Sequence, residues 1–396
     1  MNGITRHLAP ATIIALSTFG ATAVRADDDG FDGHRNAYVV TPLVSDLSSE
    51  KPKFTDPHLK NAWGVTFSPA ASPFWISDNA TGLATLYDGD GTIVSLVVTI
   101  PCPTTAGQGS SCPTTAAPTG TVWNPSTTTG FLVPGTIIPS HFMFATEDGT
   151  ISAWAAGPAA TIAVNNATVP DATNGAVYKG LAVGVNVNGV IVNGGTSPTF
   201  LFLYATNFRA GTIDVFDAGF NQVLPGTPGK IDGSFTDPNI PAGFAPFGIQ
   251  NINGDLFVTY AKQDGHKHDD VAGPGNGFVD VFNTNGFLLR RFASGGPLNS
   301  PWGVARASFA FGQFSGQILV GNFGNGNINV FDSRGQFIDE VGDAKGKPLQ
   351  IDGLWTLTLG GGAKSSSDTL YFTAGPNGET NGLFGTITPV SDNDDD

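Results

Sequence analysis

The sequence predicts an all-β fold, a six-bladed β-propeller closed by pairing of its N-terminal strand with its last blade. The first observation is a repeat of six short β-forming phrases, each opened by glycine and most ending in an aromatic residue and an acid: 82–88, 149–154, 211–217, 277–283, 326–332 and 385–390. The glycines lie roughly 50 to 67 residues apart, about the length of a four-stranded blade with long loops. Because one repeat cannot bury its own apolar face, the copies must pack as one body.

The second observation is a pair of apolar runs in front of each phrase. The first runs predict the strands that begin each blade: 63–67, 120–123, 179–183, 247–250, 302–305 and 353–357. The second runs predict the next strands: 74–77, 142–146, 200–204, 256–260, 318–321 and 370–373. Continuous apolar runs are typical of strands that are buried on both faces. The glycine-led phrase then forms the third strand, and segments such as 287–290 and 337–340 form the outer strand.

The third observation is an N-terminal strand without a blade of its own. Residues 37–44 read as a strong strand, whereas the sixth copy ends before it could form an outer strand. Pairing these two segments in one sheet closes the ring. A two-domain all-β arrangement is the alternative, and the even spacing of the repeats disfavours it.

Both ends of the chain differ from the repeats. Residues 1–26 resemble a signal peptide, with Arg6 near the start, a weakly apolar run at 11–23 and a small-residue cleavage site after Ala26. An uncleaved membrane anchor is the alternative. Residues 27–36 form an acidic lead-in, residues 391–396 form an acidic tail, and the propeller occupies 37–390. We therefore expect a protein exported to the periplasm or the medium.

The composition limits the classes of partner that we expect. The formal charge is −15 and only 13% of residues are charged. This charge disfavours nucleic acids and anionic membrane surfaces as partners, because both are bound through lysine and arginine. A small molecule, a glycan or an envelope protein remains, and we expect a monomer.

The sequence has two cysteines, Cys102 and Cys112, in a Thr-, Ser- and Gly-rich insertion. In an oxidising compartment they are expected to form a small loop disulfide. Their spacing fits neither a redox Cys-x-x-Cys motif nor a usual zinc pair.

Several long phrases carry a resemblance to a known family. They include Trp63-Gly-Val, Asn207-Phe-Arg-Ala-Gly-Thr-Ile-Asp-Val-Phe-Asp and Leu298-Asn-Ser-Pro-Trp-Gly. The chain resembles, over about residues 37–390, a group of exported bacterial NHL-like six-bladed propellers of unknown function. Some members of that group carry a C-terminal sorting tail, which this chain lacks. The cysteine-bearing insertion is a further departure. The resemblance implies a six-bladed propeller and implies no specific activity.

Polar residues recur just after the second strand of successive repeats: Asn79, Glu147, Asn207, Lys262 and Asn322. Loops at this point of a blade gather at one mouth of the central channel, so we expect a polar, ligand-binding ring there. Oxygen ligands from Asn79, Glu147, Asn207 and Asn322 would suit a divalent cation such as calcium. The alternative is that these residues only support tight turns.

The loop 262–276 concentrates histidines and acids in a charge-poor chain. His266 and His268, with Asp269 or Asp270, could hold a transition metal. His268 could equally act as a catalytic base oriented by an aspartate, which makes His268, Asp269 and Asp270 the candidate catalytic residues. A solvated loop, pinned by aspartate side chains that accept backbone hydrogen bonds, is the alternative.

Two further groups are candidate ligand contacts. Arg209 could clamp a carboxylate or phosphate with its planar fork, or pair with a nearby aspartate. Trp63, Trp302 and Trp355 occupy matching first-strand positions and could line the channel for sugars. Blade-to-blade packing is the commoner use of such residues.

The sequence leaves three functions open. The leading hypothesis is an exported module that binds a ligand or protein through its channel mouth. The second is a metal-dependent hydrolase or lactonase, in which the Asn/Glu set holds the ion and His268 moves a proton. The third is a purely structural propeller. No serine-hydrolase elbow, zinc-protease, phosphate-loop or dinucleotide motif is present in the sequence.

Overall fold

Six β-sheets surround a central axis in the computed structural model, which describes residues 36–103, 116–186 and 200–390. The predicted six-bladed propeller is therefore confirmed. The predicted signal peptide, most of the acidic lead-in, the acidic tail and Cys112 lie outside the described residues. The disulfide and the cleavage site thus stay predictions.

The strands are numbered along the chain and, apart from the first two, run outward from the axis in each blade. The N-terminal strands are β1 (Tyr38–Ser45) and β2 (Phe54–Thr55). Blade 1 contains β3 (Ala62–Thr66), β4 (Phe74–Asp78), β5 (Leu83–Tyr87) and β6 (Ile93–Thr99). Blade 2 contains β7 (Pro118–Trp123), β8 (Phe142–Thr146), β9 (Thr150–Trp154) and β10 (Thr161–Asn165). Blade 3 contains β11 (Tyr178–Val185), β12 (Leu201–Asn207), β13 (Thr212–Asp217) and β14 (Gln222–Val223).

The second half of the ring repeats this order. Blade 4 contains β15 (Phe244–Ile252), β16 (Asp255–Lys262), β17 (Phe278–Asn283) and β18 (Leu288–Ser294). Blade 5 contains β19 (Pro301–Arg306), β20 (Ile318–Asn322), β21 (Ile328–Phe331) and β22 (Phe337–Glu340). Blade 6 contains β23 (Leu354–Leu359), β24 (Leu370–Ala374) and β25 (Leu383–Pro389). A four-residue helical turn, α1 (Pro376–Glu379), connects β24 to β25.

Blade 6 closes the ring, because β1 completes its sheet. Strand β1 pairs antiparallel with β25, from Tyr38 opposite Pro389 to Ser45 opposite Leu383. Tyr38 also connects β1 to blade 5, because its hydroxyl donates a hydrogen bond to the Phe311 carbonyl at 2.9 Å. Burial raises the pKa of this hydroxyl to about 12, so it remains a donor at physiological pH. The predicted closure by the N-terminal strand is confirmed.

The innermost strands meet at glycines around the axis. A Cβ atom on any of them would lie within 3 Å of backbone atoms of the next blade: Gly64, Gly120, Gly180, Gly248 and Gly303. In blade 6 the same place belongs to Thr356, whose hydroxyl donates to the Trp63 carbonyl at 2.8 Å. The absence of side chains at these seams lets six blades approach one axis closely.

No helix among the described residues is long and apolar enough to cross a membrane. The helical elements described here are single turns between strands.

Gly248→Ala is expected to lower the free energy of unfolding by about 1–3 kcal/mol, the usual effect of overpacking. The added Cβ would lie 2.2 Å from the Trp302 carbonyl oxygen of the next blade. Thermal or urea unfolding measures the change. Gly265→Ala is the control, because no atom lies within 4 Å of its Cβ position. Equal stability of the two variants would contradict the tight seam.

Candidate functional site

Each inner strand places one side chain at the hub, immediately before the seam position. These six equivalent residues are Trp63, Thr119, Lys179, Phe247, Trp302 and Trp355. Only Lys179 is charged. Trp63, Trp302 and Trp355 pack with Phe208 and Phe247 into a buried cluster that we call the aromatic plug. Trp63 stacks on Trp355 with 3.6 Å between ring centroids.

Lys179 lies at this hub with its ammonium paired to acids from two other blades. The Lys179 side chain is 2% exposed and forms an ion pair with Glu147 of blade 2. Its Nζ atom lies 3.6 Å from Asp269 Oδ1 of blade 4 and 5.0 Å from the centroid of the Trp63 ring. Burial acts to lower the pKa of Lys179, but the negative charges of Glu147 and Asp269 outweigh it and raise the pKa. The amine therefore stays protonated.

A chain of amides connects this ion pair to the opposite side of the mouth. Asn79 donates from Nδ2 to Glu147 Oε2 at 2.9 Å. The Asn61 amide in turn donates to Asn79 Oδ1 at 3.2 Å and to Glu379 Oε2 at 2.8 Å. Trp355 of the aromatic plug donates from its indole nitrogen to Asn61 Oδ1 at 3.0 Å. Side chains from blades 6, 1, 2 and 3 thus form one hydrogen-bonded arc.

Glu379 reaches the arc from a strained turn. Asn377, Gly378 and Glu379 all have positive φ, at 57°, 61° and 66°. A non-glycine residue in this region costs about 1–3 kcal/mol and often marks a functional position. Burial raises the pKa of Glu379, so this carboxyl group stays protonated to a higher pH than an ordinary glutamate.

His268 and Asp269 complete the arc from blade 4. His268 Nδ1 lies 2.8 Å from Asp269 Oδ1. This hydrogen bond raises the pKa of His268 and lowers the pKa of Asp269 to about 2. The preceding Asp264 fixes the loop, because its Oδ1 accepts the backbone N–H groups of His266 and His268 at 3.2 and 2.8 Å. We call the full set the mouth network: Asn61, Asn79, Glu147, Lys179, His268, Asp269 and Glu379.

The structure brings together only part of the polar ring predicted after the second strands. Asn79 and Glu147 occupy equivalent positions: each follows the residue that pairs with the one just before the hub residue, in the pairs Ala62–Asp78 and Pro118–Thr146. Their counterparts in the other blades are Phe208, Ala261, Phe323 and Gly375. The predicted ring residues Asn207 and Asn322 are therefore one place earlier than this position, and Lys262 is one place later.

The side chains of these three residues have other surroundings. Asn207 Oδ1 accepts backbone N–H groups of Val177 and Ala210, and its amide donates to Asp214 within the same blade. Asn322 similarly bonds the Asn299 N–H and the Pro297 carbonyl. Lys262 is exposed. The four-residue calcium set is thus not the cluster that the structure assembles, because two of its amides support turns.

The other predicted site residues lie at or near the mouth. Trp63, Trp302 and Trp355 are at most 8% exposed, so they form a packed floor rather than an open lining. Asp270 is half-buried next to the network, and burial raises its pKa. His266 and Arg209 line a neighbouring cleft with His268 and Asp269.

Three atoms of the network have the spacing of metal ligands. One ligand atom each from Glu147, His268 and Asp269 lies within 4.8 Å of the others. The Lys179 ammonium, however, already neutralises Glu147 and lies beside Asp269. The raised pKa of His268 also favours the protonated ring, which cannot bind a metal. Glu147 and Asp269 therefore suit the ammonium group of Lys179 better than a divalent cation.

Sequence reasoning missed Lys179, Asn61 and Glu379. The signal for Lys179 was present, because aligning the first strands puts a lysine where other repeats have Trp, Thr or Phe. Asn61 and Glu379 depend on left-handed backbone conformations and on contacts between the first and last blades. No local pattern encodes those contacts.

The fold and this site define a class: a closed six-bladed propeller with a charged network at one mouth of its axis. No family model matches the chain. Uncharacterized proteins of Acanthamoeba polyphaga mimivirus do match, among them R648 and L690. Protein R648 is 31% identical over 376 residues, covering 94% of this chain and 86% of R648. Protein L690 is 32% identical over 335 residues, covering 84% of this chain and 81% of L690.

The chain belongs to the family of these two mimivirus proteins. Because these relatives are viral, they do not support the bacterial origin implied by the resemblance stated above, and membership of the NHL-like group stays a prediction.

Solved structures resemble the chain only distantly. A virginiamycin B lyase from Staphylococcus aureus is 13% identical with a TM-score of 0.46, covering 89% of this chain and all of that one. A gluconolactonase from Xanthomonas campestris is 12% identical with the same TM-score, covering 84% and 86% of the two chains. Likeness at this level assigns no activity to the present chain.

Proposed function

We propose that this chain is a binding protein that holds a small polar ligand at the mouth network. The observation that carries the proposal is the buried Lys179 ammonium between Glu147 and Asp269. The five equivalent hub positions are filled by uncharged side chains, so the scaffold does not require a charge there. The charges are better explained by recognition of a ligand.

Energetics support this interpretation. Burying two charges carries a desolvation penalty that their attraction often fails to recover. Replacing such a pair with apolar residues is frequently neutral or stabilising. A network that carries this cost, beside a turn with three successive left-handed residues, favours a role other than stability.

The test separates recognition from scaffolding. Lys179→Met should lower the free energy of unfolding by about 3 kcal/mol, since it leaves Glu147 and Asp269 uncompensated. The double variant Lys179→Met/Glu147→Gln should recover to within about 1 kcal/mol of the wild type. A thermal-shift panel of monosaccharides, sugar acids, amino acids and polyamines should contain a compound that stabilises the wild type but not the double variant.

Exposed Lys345→Met is the control and should change neither stability nor ligand response. The proposal fails if the double variant is as unstable as the single one and no compound stabilises the wild type. That result would assign the network to the scaffold.

The second candidate function is acid–base catalysis at the same mouth. It is favoured by the His268–Asp269 pair, in which an aspartate orients an imidazole beside a cleft. Lys179 is a poor nucleophile here, because its raised pKa keeps the amine protonated. Hydrolysis would therefore rely on His268 as a base acting on water, without a covalent lysine intermediate.

This candidate predicts a specific pH dependence. A base must be neutral, so lactone or phosphoester hydrolysis should rise with pH through a midpoint above the ordinary histidine value of about 6.5. Asp269→Asn should lower that midpoint, since the hydrogen bond that raises the pKa of His268 is weakened. EDTA should leave the rate unchanged. Absence of turnover of every lactone and phosphoester tested would reject catalysis and leave the binding proposal standing.

Export and the class of partner belong to the same proposal. The −15 charge disfavours nucleic acids and anionic membranes, and leaves a small molecule, a glycan or an envelope protein. Expression of the full chain in a bacterial host should yield an exported form that begins at Asp27. N-terminal sequencing measures this, and an exported form that still begins at Met1 would contradict the cleavage site.

A further inference from the structure

A second cavity adjoins the mouth network. It is a cleft of about 850 Å³ between the loop after β10, the loop after β12 and the loop after β16. Its lining includes Thr173, Asn174, Arg209, His266 and His268. The cleft shares His268 and Asp269 with the mouth network, so one ligand could contact both.

Arg209 is the unusual member of this lining. Its side chain is half-buried, and its Nη1 donates to the Gly175 carbonyl at 2.9 Å. Among the described residues, no carboxylate lies within 4 Å of its guanidinium. Arg291, of similar exposure, forms ion pairs with both Asp237 and Asp280. Arg209 therefore carries a half-buried charge without a carboxylate in direct contact.

The nearest acids are already engaged. Asp264 Oδ1 accepts backbone N–H groups of its own loop, and Asp269 is held by His268 and Lys179. Burial lowers the pKa of Arg209, and the charges of Asp264 and Asp269 offset this only in part. The guanidinium thus has donor capacity left for an anion that enters the cleft.

We infer that the cleft binds the carboxylate of a hydroxylated acid, with Arg209 as its anion contact and His268, Thr173 and Asn174 facing the hydroxyl groups. The inference rests on the proposed binding function and names its ligand class. A planar guanidinium matches a carboxylate through two parallel hydrogen bonds. The small polar side chains of the cleft suit hydroxyl groups, which both donate and accept.

A monoanion fits better than a phosphate. The chain carries a formal charge of −15, and Asp264 and Asp269 lie in the same cleft. The two cations of the lining, Arg209 and Lys267, are balanced there by Asp264 and Asp269. A phosphate dianion therefore finds no excess of local positive charge, and it meets twice the long-range repulsion that a carboxylate meets.

The experiment is isothermal titration of the full-length protein with three probes: D-galacturonate, D-galactose and inorganic phosphate. Galacturonate should bind at least about tenfold more tightly than either of the others. Arg209→Gln should weaken galacturonate binding by about 10- to 100-fold, the usual effect of losing hydrogen bonds to a charged group. Arg209→Lys keeps the positive charge but removes the planar guanidinium that can form two parallel hydrogen bonds. It should therefore give an intermediate loss of galacturonate affinity. Exposed Arg334→Gln changes net charge equally and should have no effect.

Each other outcome is decisive. Equal affinity for galacturonate and galactose, or unchanged binding by Arg209→Gln, would overturn the anion contact while leaving the proposed binding function intact. Tighter binding of phosphate would overturn the carboxylate assignment. No binding of any probe would also overturn this inference, whereas the proposed function is decided separately by the wider panel and the Lys179/Glu147 variants. Thermal unfolding of both Arg209 variants verifies that they fold.

Discussion

Closure of the ring is the constraint on which the rest of this structure depends. Strand β1 completes the sheet of blade 6, and the seam glycines let six inner strands approach one axis. Asn61 of blade 1 and Glu379 of blade 6 are 318 residues apart in sequence, and closure of the ring brings them into contact. The fold thus converts remote positions into neighbours, and the mouth network exists only in the closed ring.

The closed ring also explains why the hub carries its chemistry on so few residues. Five of the six equivalent hub positions hold uncharged side chains, and most of these pack into the aromatic plug. This apolar floor excludes water from below, which strengthens the attraction between Lys179 and its acids. The same ammonium pairs with Glu147 and lies beside Asp269, two of the three residues whose ligand atoms have metal-like spacing. The acids of the mouth therefore already have cationic partners within the chain.

The architecture is predictable from the sequence because local residue patterns identify both the repeat and the N-terminal strand that has no blade of its own. At the mouth, Asn79, Glu147, His268 and Asp269 were named in advance and do meet. Asn207 and Asn322 are one residue out of register, because they are the strand-pairing residues equivalent to Asp78 and Thr146, which precede Asn79 and Glu147. The backbone of Glu379 and the pairing of Lys179 depend on three-dimensional contacts that no local pattern encodes.

Acids from two other blades hold the buried Lys179 ammonium at the hub. A pH titration of lysine side chains labelled with ¹⁵N and ¹³C, followed by nuclear magnetic resonance, measures the effect of these acids. We expect one lysine, absent from the spectrum of Lys179→Met, whose pKa exceeds the ordinary value of about 10.4. That pKa should fall markedly in Glu147→Gln. If Lys179 titrates at the ordinary value in both proteins, the acids do not hold the ammonium.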